Sequence, residues 1–387
     1  MVKASKRCET RPASGIRKMS VMAAGYTNVL NLGLGEPDFN IGGNIAEALK
    51  KAVDAGKNKY TPTAGIPELR AAVARKLKRE NGIDCDADSI LITHGASEAI
   101  QTGILGTTDV GDEVLLPDPS WPNYQGQAHM AGCKIAFYPL LEKDGFHARA
   151  EQIEKHITPK TRLLVLNSPS NPTGGVTTKK ELLEIAELVK KHNLAVISDE
   201  PYEKLLYGGA EHVSIGSLPG MQDYVFTANT CSKTYAMTGL RVGYLQGPKD
   251  TMTKIVKIQE GSSSCVNAPA QWAAIEAFEG SQSYVSEMLA QYTARRDLLL
   301  GGLNSLPGVT CLAPEGAFYA FPNVSNLGKS QQVAEDWLKR AQVVTIPGSA
   351  FGEAGEGFVR VCFAVSEATL KETLTRLGSI FQELPAK

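Results

Sequence analysis

Five stretches of this 387-residue sequence carry side chains able to do chemistry, and each one follows a short apolar run. His94-Gly95-Ala96-Ser97-Glu98 is a small-residue turn that opens an amphipathic stretch, the kind of turn whose backbone N–H groups suit an anion. Pro117-Asp118-Pro119-Ser120-Trp121-Pro122 holds an indole between prolines. Asn167-Ser168-Pro169-Ser170-Asn171-Pro172-Thr173-Gly174-Gly175 offers an amide. Asp199-Glu200-Pro201-Tyr202 offers a carboxylate with a phenol three residues on. Asn229-Thr230-Cys231-Ser232-Lys233-Thr234 offers an amine flanked by hydroxyls. Singly, each has a plainer reading: a tight turn, a packing tryptophan, a turn starter, a helix cap, a solvated lysine. It is their ordered recurrence after successive apolar runs that favours a common site.

The elements that must hold these residues follow from periodicity. Ile90–Thr93, Glu113–Leu116, Leu163–Leu166, Ala195–Ser198, Tyr224–Ala228 and Val242–Leu245 read as buried strands. Helical patterns lie between several of them. Glu181–Lys191 is the clearest, with Leu182, Leu183, Ile185, Ala186, Leu188 and Val189 on one face, lysines at its end and Asn193 as the stop. Ser97–Leu105 and Ala270–Phe278 read as helices too. Strands alternating with helices imply an α/β fold with a largely parallel sheet. Open sheets of that kind place ligands beyond the carboxyl ends of their strands, which is where all five stretches fall. After about residue 285 the pattern becomes α+β: a helix over Tyr284–Asn304, a β-rich stretch around Ala317–Val324, a helix over Gln331–Ala341, and a last strand–helix pair ending near Phe381. The expected division is an N-terminal segment 1–42 packing with the small domain, a large domain 43–285 and a small domain 286–387. Residues 1–30 read as polar and irregular, with Pro12 and Gly15 as breakers.

Composition removes other classes. Lys+Arg 40 against Asp+Glu 41 makes nucleic acid an unlikely main partner. Apolar runs are far short of the ~20 residues that cross a bilayer, and the basic start lacks the apolar core of a secretory signal. Seven cysteines without a CxxC pair and six histidines without HxxxH spacing argue against disulfides and against a metal site, and fit a reducing cytoplasm.

Taken together, Asn171-Pro172-Thr173-Gly174, Asp199-x-x-Tyr202 and Thr230-x-Ser232-Lys233 with Arg241 eight residues on resemble the class I/II aminotransferases, the aspartate aminotransferase-like fold type I enzymes that use pyridoxal 5′-phosphate. Leu34-Gly35-Glu36-Pro37-Asp38-Phe39, the run Lys59 to Arg70, Pro314-Glu315-Gly316-Ala317-Phe318-Tyr319 and Phe358-Val359-Arg360 are similar to the same family, so the likeness runs from about residue 28 to 366. It implies a large domain with a mostly parallel sheet flanked by helices and a smaller α+β domain. It also implies transfer of an amino group between an L-amino acid and a 2-oxo acid by a ping-pong route. The alternative on the same scaffold is a C–S β-lyase. A DNA-binding regulator is disfavoured, because the likeness starts too near the N-terminus to leave room for a further domain.

The resemblance assigns roles. Lys233 would hold the cofactor aldehyde and move the proton. Asp199 would keep the pyridine nitrogen protonated, and Tyr202 and Asn171 would donate to its phenolic oxygen. Trp121 would stack on the ring. Gly95, Ala96, Ser97, Thr230, Ser232 and Arg241 would bind the phosphate, with Tyr60 reaching it from a partner subunit in a homodimer. Arg360 would fork the substrate carboxylate, with Gly35, Trp121 and Asn171 lining the same pocket. Glu98 is expected to point away from the phosphate turn; with no Lys or Arg between Gly95 and Gln127 or between Gly261 and Phe278, Arg11, Arg17 and Lys18 are left as basic residues able to approach the pocket.

Overall fold

Runs such as Ile90-Leu91-Ile92-Thr93 are apolar on both faces, which suits strands covered from both sides. The computed structural model describes residues 2–10 and 15–382. Its strands begin with the short β1 (Leu30–Asn31) and continue as β2 (Ile90–Thr93), β3 (Glu113–Asp118), β4 (Lys134–Pro139), β5 (Thr161–Asn167), β6 (Ala195–Asp199), β7 (Val225–Thr230) and β8 (Gly243–Gln246). Among the described residues the last seven form one sheet in the order β2-β8-β7-β6-β5-β3-β4. Pairing is parallel from β4 to β7, while β8 runs antiparallel to both β7 and β2. Two reversals cancel, so β2 points the same way as β7. The carboxyl ends of β2, β3, β5, β6 and β7 therefore share one edge. This mostly parallel sheet with flanking helices is the expected fold class.

The sequence reading misses β4. Among the described residues no strand lies beyond it, and its residues are mostly half-exposed with a lysine at one end and a proline at the other. An edge strand needs no continuous apolar run, so periodicity is weak there. The helix Lys179–His192 shows the expected logic at both ends. Thr178 and Glu181 form a reciprocal capping box, and Asn193 closes the helix in the left-handed region. One residue departs: Leu183 is exposed and does not belong to the buried face made by Leu182, Ile185, Ala186, Leu188 and Val189.

The C-terminal part adds β9 (Tyr319–Ala320), β10 (Val343–Val344), β11 (Ile346–Pro347) and β12 (Val359–Cys362). β12 lies between β11 and β9, antiparallel to both. The β-rich stretch expected around Ala317–Val324 reduces to the two residues of β9; Pro322, without an N–H, stands two residues beyond. Helices Ser283–Asn304, Ser330–Ala341 and Glu367–Gln382 pack around this layer.

The expectation of an irregular N-terminus is overturned. Helices form at Lys6–Glu9, capped by Ser5, and at Gly15–Ala23. Gly15 is no breaker there: it begins the second helix, close against Ala350, where a side chain would collide. Met19 is fully buried, with Ile16 and Met22 partly buried against the same core. Pro12 lies outside the described residues. The segment then pairs β1 with β10 in parallel, so the N-terminus packs on the C-terminal layer.

Candidate active site

The five turns at the carboxyl edge, the segment after β1, and β12 enclose a cavity of about 240 Å3. Ala96, Ser97, Trp121, Asn171, Asp199, Tyr202, Thr230, Ser232, Lys233, Arg241, Arg360 and Gly35 line it. Gly95 is not among the lining residues but immediately precedes Ala96. Tyr60 does not line it; its side chain is 93 % exposed.

At the floor, Asp199 is the last residue of β6 and is buried. Tyr124 donates to its Oδ2 at 2.5 Å, while Oδ1 has no partner. Burial pushes this carboxyl up to about 7, with adjacent Glu200 adding to the rise, and Tyr124 and Lys233 opposing it. Asn167 ends β5 and donates from Nδ2 to the Asp199 carbonyl (3.0 Å), while its Oδ1 accepts from the Asn171 N–H (2.9 Å). Neither Tyr124 nor Asn167 figures among the sequence candidates. The signal for both was positional. Asn167 is the polar end of an apolar strand, and Tyr124 lies one helical turn beyond Trp121.

Lys233 sits in the short helix Cys231–Thr234, whose cap is Thr230. The Thr230 Oγ1 accepts from the Ser232 N–H and donates to the Val242 carbonyl, which locks the turn. Lys233 Nζ donates to the Gly35 carbonyl at 2.7 Å. Burial lowers its pKa to about 8; Arg360 and Arg241 push the same way, against Cys362 and Glu36. Gly35 must be glycine here, since a Cβ would run into the Tyr319 hydroxyl.

The anion end is built on backbone. Gly95 has φ +75° and precedes the helix Ala96–Thr107, whose first N–H groups have no intrahelical acceptor. A Cβ on Gly95 would lie 2.8 Å from Arg241 Nη2, so only glycine lets the guanidinium approach. Arg241 is fixed by bonds to the carbonyls of Thr238 (3.1 Å) and His94 (3.0 Å). Glu98 does point away from the cavity, accepting from the His94 N–H, the His94 ring and Ser263.

At the other end Arg360, on β12, is only 2 % exposed. It donates to Asn171 Oδ1 (2.9 Å) and to the Gly33 carbonyl (2.6 Å), and its Nε has no partner. Tyr319 and Phe351 face its guanidinium at 4.4 and 4.8 Å. The hydroxyls of Tyr202 and Tyr319 meet at 3.0 Å, and burial pushes the Tyr202 phenol well above its ordinary pKa. Trp121 is half-buried, edge-to-face with Tyr124. Ile16 and Leu34 add an apolar wall that sequence reading does not foresee. Of the basic residues expected nearby, Lys18 turns to Glu335 on the surface, Arg17 is exposed and does not line the cavity, and Arg11 lies outside the described residues.

The cavity thus combines an amine of lowered pKa, a buried carboxylate with one free oxygen, an anion cradle and a guanidinium. A family model described as aminotransferase class I and II matches residues 27–377. The chain is 41% identical over 383 residues to aromatic-amino-acid aminotransferase 2 of Thermococcus litoralis, covering 98% of each chain. It is 40% identical to the aspartate aminotransferase of Pyrococcus abyssi, again over 98% of each. Among solved structures, the aspartate aminotransferase of Rhizobium meliloti superposes with a TM-score of 0.96 at 34% identity, covering 99% of this chain and 100% of that one.

Proposed function

The chain belongs to the class I and II aminotransferases, and on that premise we propose which of its residues carry out the reaction. It is a pyridoxal-phosphate-dependent transaminase that exchanges the amino group between an L-amino acid and a 2-oxo acid. The relatives reported above lend nothing to the C–S lyase alternative.

The residues present suit the cofactor. The unpartnered Oδ1 of Asp199 can accept from a protonated ring nitrogen, which would also hold that carboxyl ionised at neutral pH. The glycine-opened helix end with Arg241, Thr230 and Ser232 suits a phosphate dianion. When bound, the cofactor supplies an electron-withdrawing ring that stabilises negative charge at the substrate α-carbon.

The remaining roles belong to the chain. Lys233 Nζ would hold the cofactor aldehyde and, once displaced from it by the substrate amine, would as a neutral amine take the α-proton and return it; in the cofactor-free chain burial lowers its pKa to about 8. Tyr202 and the Asn171 amide would donate to the cofactor's phenolic oxygen; because Arg360 occupies the Asn171 carbonyl, its NH2 group is left for that contact. Trp121 and the side chains around it cover the ring and exclude water. Arg360 forks the substrate α-carboxylate, replacing its present bond to the Gly33 carbonyl.

A homodimer supplies Tyr60 to the partner's phosphate site; its exposure in the single chain supports this. We take the chain to divide at residues 42 and 285, which would put Lys233 and Arg360 in different domains, so that carboxylate binding draws the small domain over the site. Ile16, Leu34 and Trp121 favour a donor with an apolar or aromatic side chain. A reducing, cytoplasmic setting is in keeping with seven unpaired cysteines.

The observation that carries this reading is that Lys233, Asp199 and Arg360 line one cavity. Borohydride treatment of the purified protein followed by peptide mapping is expected to fix the cofactor to Lys233. A panel of amino donors with pyruvate and 2-oxoglutarate should yield paired oxo-acid and amino-acid products. Label on another lysine, or release of ammonia in place of a new amino acid, refutes it.

A further inference from the structure

Behind Asp199, on the side away from the cavity, lies a buried polar layer that the roles above do not use. Successive residues of an extended chain face opposite ways, and Glu200, continuing β6 through its N–H bond to the Ala228 carbonyl, turns from the cofactor cavity. Its carboxylate is buried yet fully engaged. Ser198 donates to Oε1 (2.7 Å); Ser214 (2.6 Å) and His212 Nε2 (3.0 Å) approach Oε2.

Glu203 stands beside it, bonded to Lys76 and to Asn81 Nδ2 (2.6 Å), and Lys76 also reaches Asn81 (2.7 Å). The layer therefore holds two carboxylates and one ammonium. A charged His212 balances it; a neutral one leaves a net negative charge against the back of Asp199. Glu80 also comes within 3.8 Å of Lys76, and its own charge is answered by Lys204 and Arg79. The Tyr235 and Tyr244 hydroxyls and the Cys231 thiol are held neutral by burial. Burial of His212 works against its charge, but Glu200 and Glu203 together outweigh burial and Lys76 and hold its pKa above the ordinary value.

We propose that His212 is a positioning residue for the transamination: its charge on Glu200 balances the layer behind Asp199 and so sets how strongly Asp199 holds the proton it shares with the cofactor ring. This rests on the reading of Asp199 given above. Loss of the positive charge makes the floor of the site more negative. A proton anywhere on the bound cofactor is then held more tightly.

The test is the pH midpoint of the bound cofactor's absorption change, measured on holoenzyme alongside the cofactor dissociation constant. His212→Gln is expected to raise the midpoint by about one pH unit, the size of one unbalanced charge several ångströms away. In Glu200→Gln/His212→Gln both charges are gone, and the midpoint should return to within roughly 0.3 unit of the wild type. Structural damage would instead move the double variant farther than the single one. Glu200→Gln alone leaves no bare carboxylate, so it is the variant that folds most readily, and it should not raise the midpoint. An unmoved midpoint in His212→Gln, a larger displacement in the double variant, or a rise in Glu200→Gln would overturn the inference while the reading of Asp199 stands. A wild-type holoenzyme whose absorption ignores pH would overturn both.

Discussion

Replacing Asp199 by Asn should make the cofactor-free protein more stable and the enzyme nearly inert. In the folded chain without cofactor, burial raises the Asp199 carboxyl from near 3.8 to about 7. A carboxyl with a raised folded pKa stabilises the fold below its unfolded pKa and loses that contribution as pH climbs through the folded value. At pH 8 the buried charge thus costs at most about 4 kcal/mol. The amide removes that charge and still accepts from Tyr124, but it leaves an N–H where Oδ1 now has no partner, which takes back about 1–3 kcal/mol. A net gain of about 1–3 kcal/mol is expected at pH 8. By pH 5 the wild-type carboxyl is protonated in the fold, so the gain should shrink by about 2–3 kcal/mol. Urea unfolding of both cofactor-free proteins at the two pH values measures this. Saturating cofactor should favour the wild type instead, and turnover of the variant should fall by about 3 kcal/mol or more in the barrier. Equal stability at pH 8, or a gain unchanged at pH 5, would show that Asp199 is not the strained charge described here. Near-normal turnover would move the ring-nitrogen role elsewhere.

The other sites give sharper signs. Lys233→Ala should keep cofactor through the phosphate cradle yet lose almost all turnover; in the wild type, capture of cofactor by the apoprotein should accelerate as pH rises through about 8, because the lowered pKa frees the amine there. Arg360→Lys should cost about 2–4 kcal/mol in kcat/KM for an amino acid, since an ammonium cannot copy the planar fork; an equal loss on the matching amine without a carboxylate would reduce Arg360 to a structural role. Tyr60→Phe should weaken cofactor retention more than it changes the melting curve of the cofactor-free protein, and a fully active monomer in sedimentation would exclude the shared site.

Much of the site is legible because buried parallel strands are almost continuously apolar, so the polar residues that end them stand out. Asp199, Lys233 and Asn171 are visible for that reason. Arg360 is different: an alternating run marks its strand, and only a family likeness gives it a task. What escapes the reading lacks that contrast. Tyr124 acts from a helix, where a tyrosine looks like packing. Ile16 and Leu34 are apolar residues in a segment whose helix is nine residues long and leans on distant Ala350, so nothing local announces it. His212 belongs to a loop, and the layer it completes draws Lys76 and Asn81 from a segment more than a hundred residues away from Glu200 and Glu203.

The pairing of β1 with β10 has a consequence for how the protein is made. Leu30 and its partner Val343 are separated by about three hundred residues of chain, all of which must be translated between them. The strand that leads into Gly33 and Gly35, which meet Arg360 and Lys233, has no strand partner until β10 has been translated. A nascent chain can therefore complete the cofactor sheet, with β8 already translated, well before it owns a carboxylate pocket. Such non-local pairing is slow to form. A prematurely terminated chain lacking β10 and β12 would keep the amine of Lys233 but have neither its Gly35 partner held in place nor Arg360. Translation itself orders the assembly: the Lys233 end of the cavity first, the Arg360 end later.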